Sequence, residues 1–174
     1  VSRWSKQYRA SETDNIEAMN NLIEWLPKNI PDDDETTIVH GDYRLDNMIL
    51  RNNEVIGILD WELSTLGHPI ADFSYHCLSW RTQEAFWDEA KLKELGIPSE
   101  KEYMEMYCKY SGKDLSKNWE FYMAFNMFKI AGILQGILGR VRDGTAASKH
   151  AEERGNMVFP LSQAAWETIE DNFL

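Results

Sequence analysis

Basic residues are scarce in this chain: 18 Lys plus Arg stand against 29 Asp plus Glu in 174 residues, a formal net charge of -11. Binding to a phosphate backbone draws its affinity from Lys and Arg, so nucleic acid is excluded as a partner. An acidic surface suits a cationic substrate or divalent metals, although its commonest meaning is solubility. Cysteine is almost absent. Cys77 and Cys108 stand alone without metal-ligand spacing, which implies free thiols in a reducing compartment. No window holds the ~20 apolar residues that a membrane span requires. The longest apolar stretch, 130–138, is interrupted by Gln135 and flanked by Lys129 and Arg140. A leading apolar segment with a cleavage site is also missing. The visible chain therefore reads as soluble and intracellular, and its opening at Val1 in amphipathic material reads as part of a longer protein. With no internal repeat and no low-complexity linker, residues 1–174 read as one domain.

Hydrophobic content of 43%, with seven each of Trp, Tyr and Phe, is enough to fill a core. Ile16, Met19, Leu22, Ile23 and Leu26 recur at three- and four-residue steps until Pro27, predicting an amphipathic helix from Ser11 onward, capped by Ser11 or Thr13. The run Pro31-Asp32-Asp33-Asp34-Glu35 reads as a solvated loop. Short β-branched or apolar segments at 36–39, 48–50 and 54–59 predict three strands, the last two joined by a turn at Asn52-Asn53. Helices follow at 70–80, from 99 to about 110, from 115 or 116 to about 140, and from 146 to near 171. The third of these is apolar almost all round and belongs at the centre of the fold. Its Gly132, Gly136 and Gly139 follow no strand and open no helix, so they indicate close helix packing rather than a phosphate loop.

Phosphoryl transfer from a nucleotide needs a carboxylate to orient and deprotonate the attacking hydroxyl, and oxygen ligands to hold magnesium against the phosphates. Asp42, Asn47 and Asp60 supply those groups, each beside a predicted strand end. Singly, Asp and Asn at such places are common turn formers. Together, with His40-Gly41 in front and Trp61-Glu62 behind, they point to chemistry.

His40-Gly41-Asp42, then Asn47, then Asp60, followed by Gly67-His68-Pro69-Ile70-Ala71-Asp72, resembles the signature of the aminoglycoside phosphotransferase and choline kinase family, whose fold is protein-kinase-like. Four longer blocks are similar in particular to the kinase-like domain fused upstream of some acyl-CoA dehydrogenases: VSRWSKQY at 1–8, HGDYRLDN at 40–47, LDWELSTL at 59–66 and NWEFYMAFNMFKIAGILQ at 118–135. The resemblance implies an α+β, mostly helical C-terminal lobe with a small strand ribbon at the catalytic loops. It makes Asp42 the catalytic base and puts Arg44 on the transferred phosphate, unless Arg44 is only a surface salt-bridge partner. Asn47 and Asp60 become the magnesium ligands. His40, Glu62 and Asp72 are grouped around the cofactor: His40 and Asp72 brace the catalytic loop, Asp72 being equally suited to cap a helix, and Glu62 holds metal or pins the loop.

The implied cofactors are ATP and Mg2+, and the implied acceptor is a small-molecule hydroxyl on a hydroxylated acyl compound, an aminoalcohol or an aminoglycoside-like sugar. Trp80, Trp87, Trp119 and Tyr122 would line a pocket for such a molecule or fill the core. What is missing is a glycine-rich strand loop and a strand lysine before His40. An upstream nucleotide-binding lobe is therefore expected as a partner, and a downstream acyl-CoA dehydrogenase domain as a fusion, in mitochondria or peroxisomes. Without that lobe, this piece would bind nucleotide weakly or not at all. Two other readings stay open: a catalytically silent interaction module, and a metal-dependent phosphoester hydrolase built on the same carboxylates.

Overall fold

The structure, a computed structural model, describes residues 1–33, 35–82 and 89–174. In chain order its elements are α1 (Ser2–Ala10), α2 (Glu17–Trp25), β1 (Thr37–Val39), β2 (Met48–Arg51), β3 (Glu54–Ile58), β4 (Thr65–Gly67), α3 (Pro69–Cys77), α4 (Ser79–Thr82), α5 (Glu89–Glu94), α6 (Glu100–Ser111), α7 (Trp119–Arg142), α8 (Ala151–Asn156) and α9 (Val158–Phe173). The α+β, mostly helical expectation holds. Two compact units divide these elements, one made of residues 1–32 with 120–174 and the other of residues 33–119.

In the first unit, the helix expected from Ser11 begins only after Ile16, and a further helix, α1, precedes Ser11. The Ser11 amide donates back to the Tyr8 carbonyl at 3.0 Å and ends α1, while α2 starts after Ile16 with no side-chain cap. Ser11 and Thr13 serve another purpose: Gln135, buried on α7, donates to the Ser11 carbonyl at 2.7 Å and to Thr13 Oγ1 at 2.8 Å. The Gly132/Gly136/Gly139 stripe lies against α1, where an added Cβ would meet Trp4, Gln7 and Ser11 at 3.5–4.0 Å. The glycines thus act in helix packing, as expected. By length and composition α7 is apolar enough to cross a bilayer, contrary to the reading of the sequence, but over half of that window is buried within the fold, as in a core helix. α2 packs along α9, with the Trp25 and Phe173 rings 5.1 Å apart. Met19, Leu22, Ala165 and Ile169 have no exposed surface, and burying each of the larger ones is worth about 1.5–3 kcal/mol. The helix expected over 146–171 is interrupted at Met157, which separates α8 from α9.

The second unit carries two antiparallel ribbons instead of the single one expected. β2 pairs with β3 across Asn52 and Asn53, whose φ values of 51° and 63° are those of the tight turn the dipeptide predicts. β1 pairs with β4, a strand only three residues long, in the register Thr37 to Gly67. The loops at the strand ends are thereby brought against α3. That helix begins as the sequence predicts but ends at Cys77, with α4 following as a separate turn. α6 opens with a full capping box: Ser99 Oγ accepts from the Glu102 amide at 3.3 Å, and Glu102 Oε2 accepts from the Ser99 amide at 2.8 Å. Glu100 on α6 takes a forked ion pair from Arg81 and the Trp119 indole N–H at 2.8 Å. Both cysteines are free thiols, Cys77 buried and Cys108 half-buried.

Of the aromatics considered for a pocket, Trp119 and Tyr122 are buried, and Trp80 is half-buried with its ring stacked 5.2 Å from Tyr103. Trp87 lies outside the described residues, as does Asp34 of the acidic run. Two carboxylates of that run are engaged structurally. Asp33 pairs with His68 Nε2 at 3.2 Å and Glu35 pairs with Lys113.

Candidate active site

β1 runs into His40-Gly41-Asp42, and α3 grips this loop along one face. Asp72 accepts from the His40 amide through Oδ2 and from the Gly41 amide through Oδ1, both at 2.8 Å. Two charge-assisted bonds to consecutive amides fix the backbone direction immediately before Asp42. Asp72 is thus a brace, and the capping role falls to His68, whose Nδ1 accepts from the Ile70 amide at 3.2 Å. One helical turn beyond Asp72, the Tyr75 hydroxyl donates to Asp42 Oδ1 at 2.7 Å, and His76 Nδ1 donates to the Tyr43 carbonyl at 3.1 Å. Positions 72, 75 and 76 share one side of a helix by their i, i+3, i+4 spacing. His76 Nε2 in turn accepts from the Tyr103 hydroxyl of α6 at 3.1 Å. Burial lowers the His76 pKa, which favours the neutral ring in which Nε2 accepts.

His40, only 3% exposed, ties the loop to the next one. Its Nε2 lies 2.7 Å from the Leu59 carbonyl and must carry the proton, which leaves Nδ1 to accept from the Asp42 amide at 3.3 Å. The Trp61 ring lies 4.7 Å from the imidazole, and its indole N–H donates to the Ile58 carbonyl at 2.9 Å. Gly41, at φ 83°, fits because it has no side chain: a Cβ there would stand 2.5 Å from the Leu63 carbonyl oxygen.

Asp42 has both carboxylate oxygens occupied. Oδ1 takes the Tyr75 hydroxyl, and Oδ2 takes Asn47 Nδ2 at 3.1 Å, the same amide nitrogen donating to the Asp42 carbonyl at 2.9 Å. With its nitrogen so committed, Asn47 has its Oδ1 left to offer a cation. Burial, then the hydrogen bond to Asp42, push the Tyr75 phenol up to about 12, so it stays a donor at any physiological pH.

Asp60 follows β3. The preceding Leu59 donates its amide to the Asn47 carbonyl at 2.8 Å and gives its own carbonyl to His40, so Asp60 is one residue from a link between both loops. It adopts φ 62°, ψ 53°, a left-handed conformation that aspartate tolerates better than most residues, and its exposed carboxylate caps nothing. Glu62 is exposed on the 3-10 turn Trp61–Leu63. Arg44 is exposed and ion-paired with Asp46, two residues on. The structure therefore joins His40, Asp42, Asn47 and Asp72 by direct hydrogen bonds, and Asp60 through its neighbour's backbone. Tyr75 and His76 were not singled out from the sequence, although their spacing from Asp72 on a predicted helix was a usable signal.

Mostly helical structure with strand ribbons feeding a braced His-Gly-Asp loop is the pattern of a kinase-like phosphotransferase fold. Residues 1–107 match the family described as Phosphotransferase enzyme family, and the chain belongs to it. A crystal structure from Ralstonia eutropha, provisionally named an aminoglycoside phosphotransferase, superposes with a TM-score of 0.89 at 48% identity, covering 98% of this chain and 54% of its own. Acyl-CoA dehydrogenase family member 10 of Mus musculus is 45% identical over 174 residues, 96% of this chain and 16% of that protein. Acyl-CoA dehydrogenase family member 11 of Homo sapiens is 39% identical over 180 residues, 99% of this chain and 23% of that protein. The chain thus spans under a quarter of these dehydrogenase relatives and about half of the crystallised one.

Proposed function

We propose that this chain is the catalytic lobe of an ATP-dependent phosphotransferase that phosphorylates a hydroxyl of a small molecule. The observation that carries this reading is the Asp42 carboxylate, clamped between Tyr75 and Asn47 on a loop whose preceding amides are held by Asp72. In the proposed reaction, Asp42 takes the proton of the acceptor hydroxyl as that oxygen bonds to the γ-phosphorus. The bond from phosphorus to the bridging oxygen breaks, and ADP leaves. Arg44, ion-paired with Asp46, is placed by this reading where it can turn to the transferred phosphate.

The donor set fits magnesium, which takes a few protein oxygens and leaves the rest of its shell to water and phosphate. Asn47 Oδ1 and the Asp60 carboxylate would hold it, and there it would offset the charge on the ATP phosphates. His40 and Asp72 act by holding the loop, with Glu62 at its edge.

Nucleotide binding is completed in this reading by an upstream lobe. Two observations support it: the chain spans 54% of the crystallised relative, and Ile38, Leu50, Val55 and Leu66 on the ribbons are each more than half exposed. The names of the dehydrogenase relatives favour a hydroxylated acyl compound as acceptor, and that of the crystallised one favours an aminoglycoside.

The test is to incubate the full-length protein with Mg-ATP and hydroxylated acyl-CoAs, aminoalcohols and aminoglycosides, following ADP and phosphorylated product by mass spectrometry. Transfer to one class is expected. Asp60→Ala is expected to raise the Mg2+ concentration for half-maximal rate by at least the roughly 10–100-fold that even outer-shell losses cost. A folded protein that transfers phosphate to nothing in the panel would end the proposal in favour of a silent docking module.

A further inference from the structure

We propose that Tyr75 is a positioning residue for the transfer step, fixing the Asp42 carboxylate so that Oδ2 is the oxygen offered to the acceptor hydroxyl. This rests on the reading of Asp42 as the base. A carboxylate turns easily about its last side-chain torsion, whose energy wells are broad. Here a bond at each end stops that rotation, and the two bonds are unequal: the Tyr75 hydroxyl is 2.7 Å from Oδ1, whereas the Asn47 amide is 3.1 Å from Oδ2. The shorter, charge-assisted bond draws electron density from Oδ1 and leaves Oδ2, with its second lone pair, the better proton acceptor.

The phenol is itself well anchored. α3 carries Asp72, bonded twice to the loop, and His76, bonded to the Tyr43 carbonyl on one side and to Tyr103 of α6 on the other. Tyr75 is half-buried beside these contacts. With ionisation pushed up to about 12, it remains a proton donor throughout the reaction and does not compete with Asp42 for the acceptor proton. A hydroxyl held so firmly against one oxygen of a base sets orientation, and small errors in orientation are expensive in rate.

The test uses the full-length protein with Mg-ATP and its best acceptor from the panel. Tyr75→Phe keeps the ring and removes the hydroxyl, and with it both the bond to Asp42 and the one from Arg44. It is expected to lower kcat by about 10–100-fold while the KM values for ATP and acceptor stay within roughly twofold. p-Aminophenylalanine at position 75, which returns an N–H donor to the same place, is expected to restore most of the lost rate. Tyr75→Phe turning over within about twofold of the parent overturns the inference. So does a loss that the amine fails to recover, because the fit of the ring and not the bond would then set the rate. Asp42→Ala is run alongside. If it stays active, the reading of Asp42 as base fails; if it is dead and Tyr75→Phe is unimpaired, only the role of Tyr75 fails.

Discussion

Asp42→Ala is expected to lower the turnover of the full-length protein by about 10²–10⁴-fold, the range that a positioned general base contributes. The fold should survive. Tyr75 and Asn47 each lose a partner, but both are only half-buried and water can replace the carboxylate, so the cost is about 1 kcal/mol against a typical stability of about 5–15 kcal/mol. Asp42→Asn should be similarly inactive. Its amide can still accept from Asn47 and turn its NH2 to the Tyr75 oxygen, but it is too weak a base to take the acceptor's proton. Steady-state kinetics with a urea melt on the same samples decides the matter. Parent-like turnover by either variant would remove Asp42 from the chemistry.

The second large effect is expected from a single methyl group. Gly41→Ala must keep φ at 83° in a residue that disfavours it, and must place its Cβ 2.5 Å from the Leu63 carbonyl oxygen, a backbone atom that cannot swing aside. To relieve the contact, the loop has to lift away from the Trp61–Leu63 turn, which breaks the bond from the Gly41 amide to Asp72. Strain and lost bond together should destabilise the protein by roughly 3 kcal/mol and leave almost no turnover. An alanine variant with the parent's melting temperature and rate would show that this loop is far softer than its hydrogen bonds imply.

The sequence spelled out the loops more clearly than the frame around them. Asp42, Asn47 and Asp60 were visible because their chemistry and spacing are local, and the Asn52-Asn53 turn because positive φ has few tolerant residues. β4 is not legible because three residues, Thr65 to Gly67, show no alternation, and pairing with a strand 28 residues earlier leaves no local trace. α1 is not among the expected helices, although its opening residues are amphipathic, with Trp4 and Tyr8 one turn apart. The helix expected from Ser11 is too long because Ser11, a residue suited to open a helix, here closes one. Asp72 was recognised as a brace or a cap. Its choice between the two amides and the helix end depends on β1 arriving alongside, a contact across about 30 residues. Tyr75 and His76 have the same dependence. Their spacing from Asp72 on a predicted helix is legible, but only the fold gives them partners.

The three grips along α3 also set how this stretch of chain can vary in length. Each residue added to or removed from an α-helix rotates everything beyond it by about 100°. One insertion between Asp72 and Tyr75 would swing the phenol and imidazole off the loop while leaving the helix intact. The turn from Asp60 to His68, which sets where α3 begins, is constrained in the same way. The loop from Leu95 to Pro98 carries no such phase, so homologues should accumulate insertions and deletions there and almost none between Asp60 and His76.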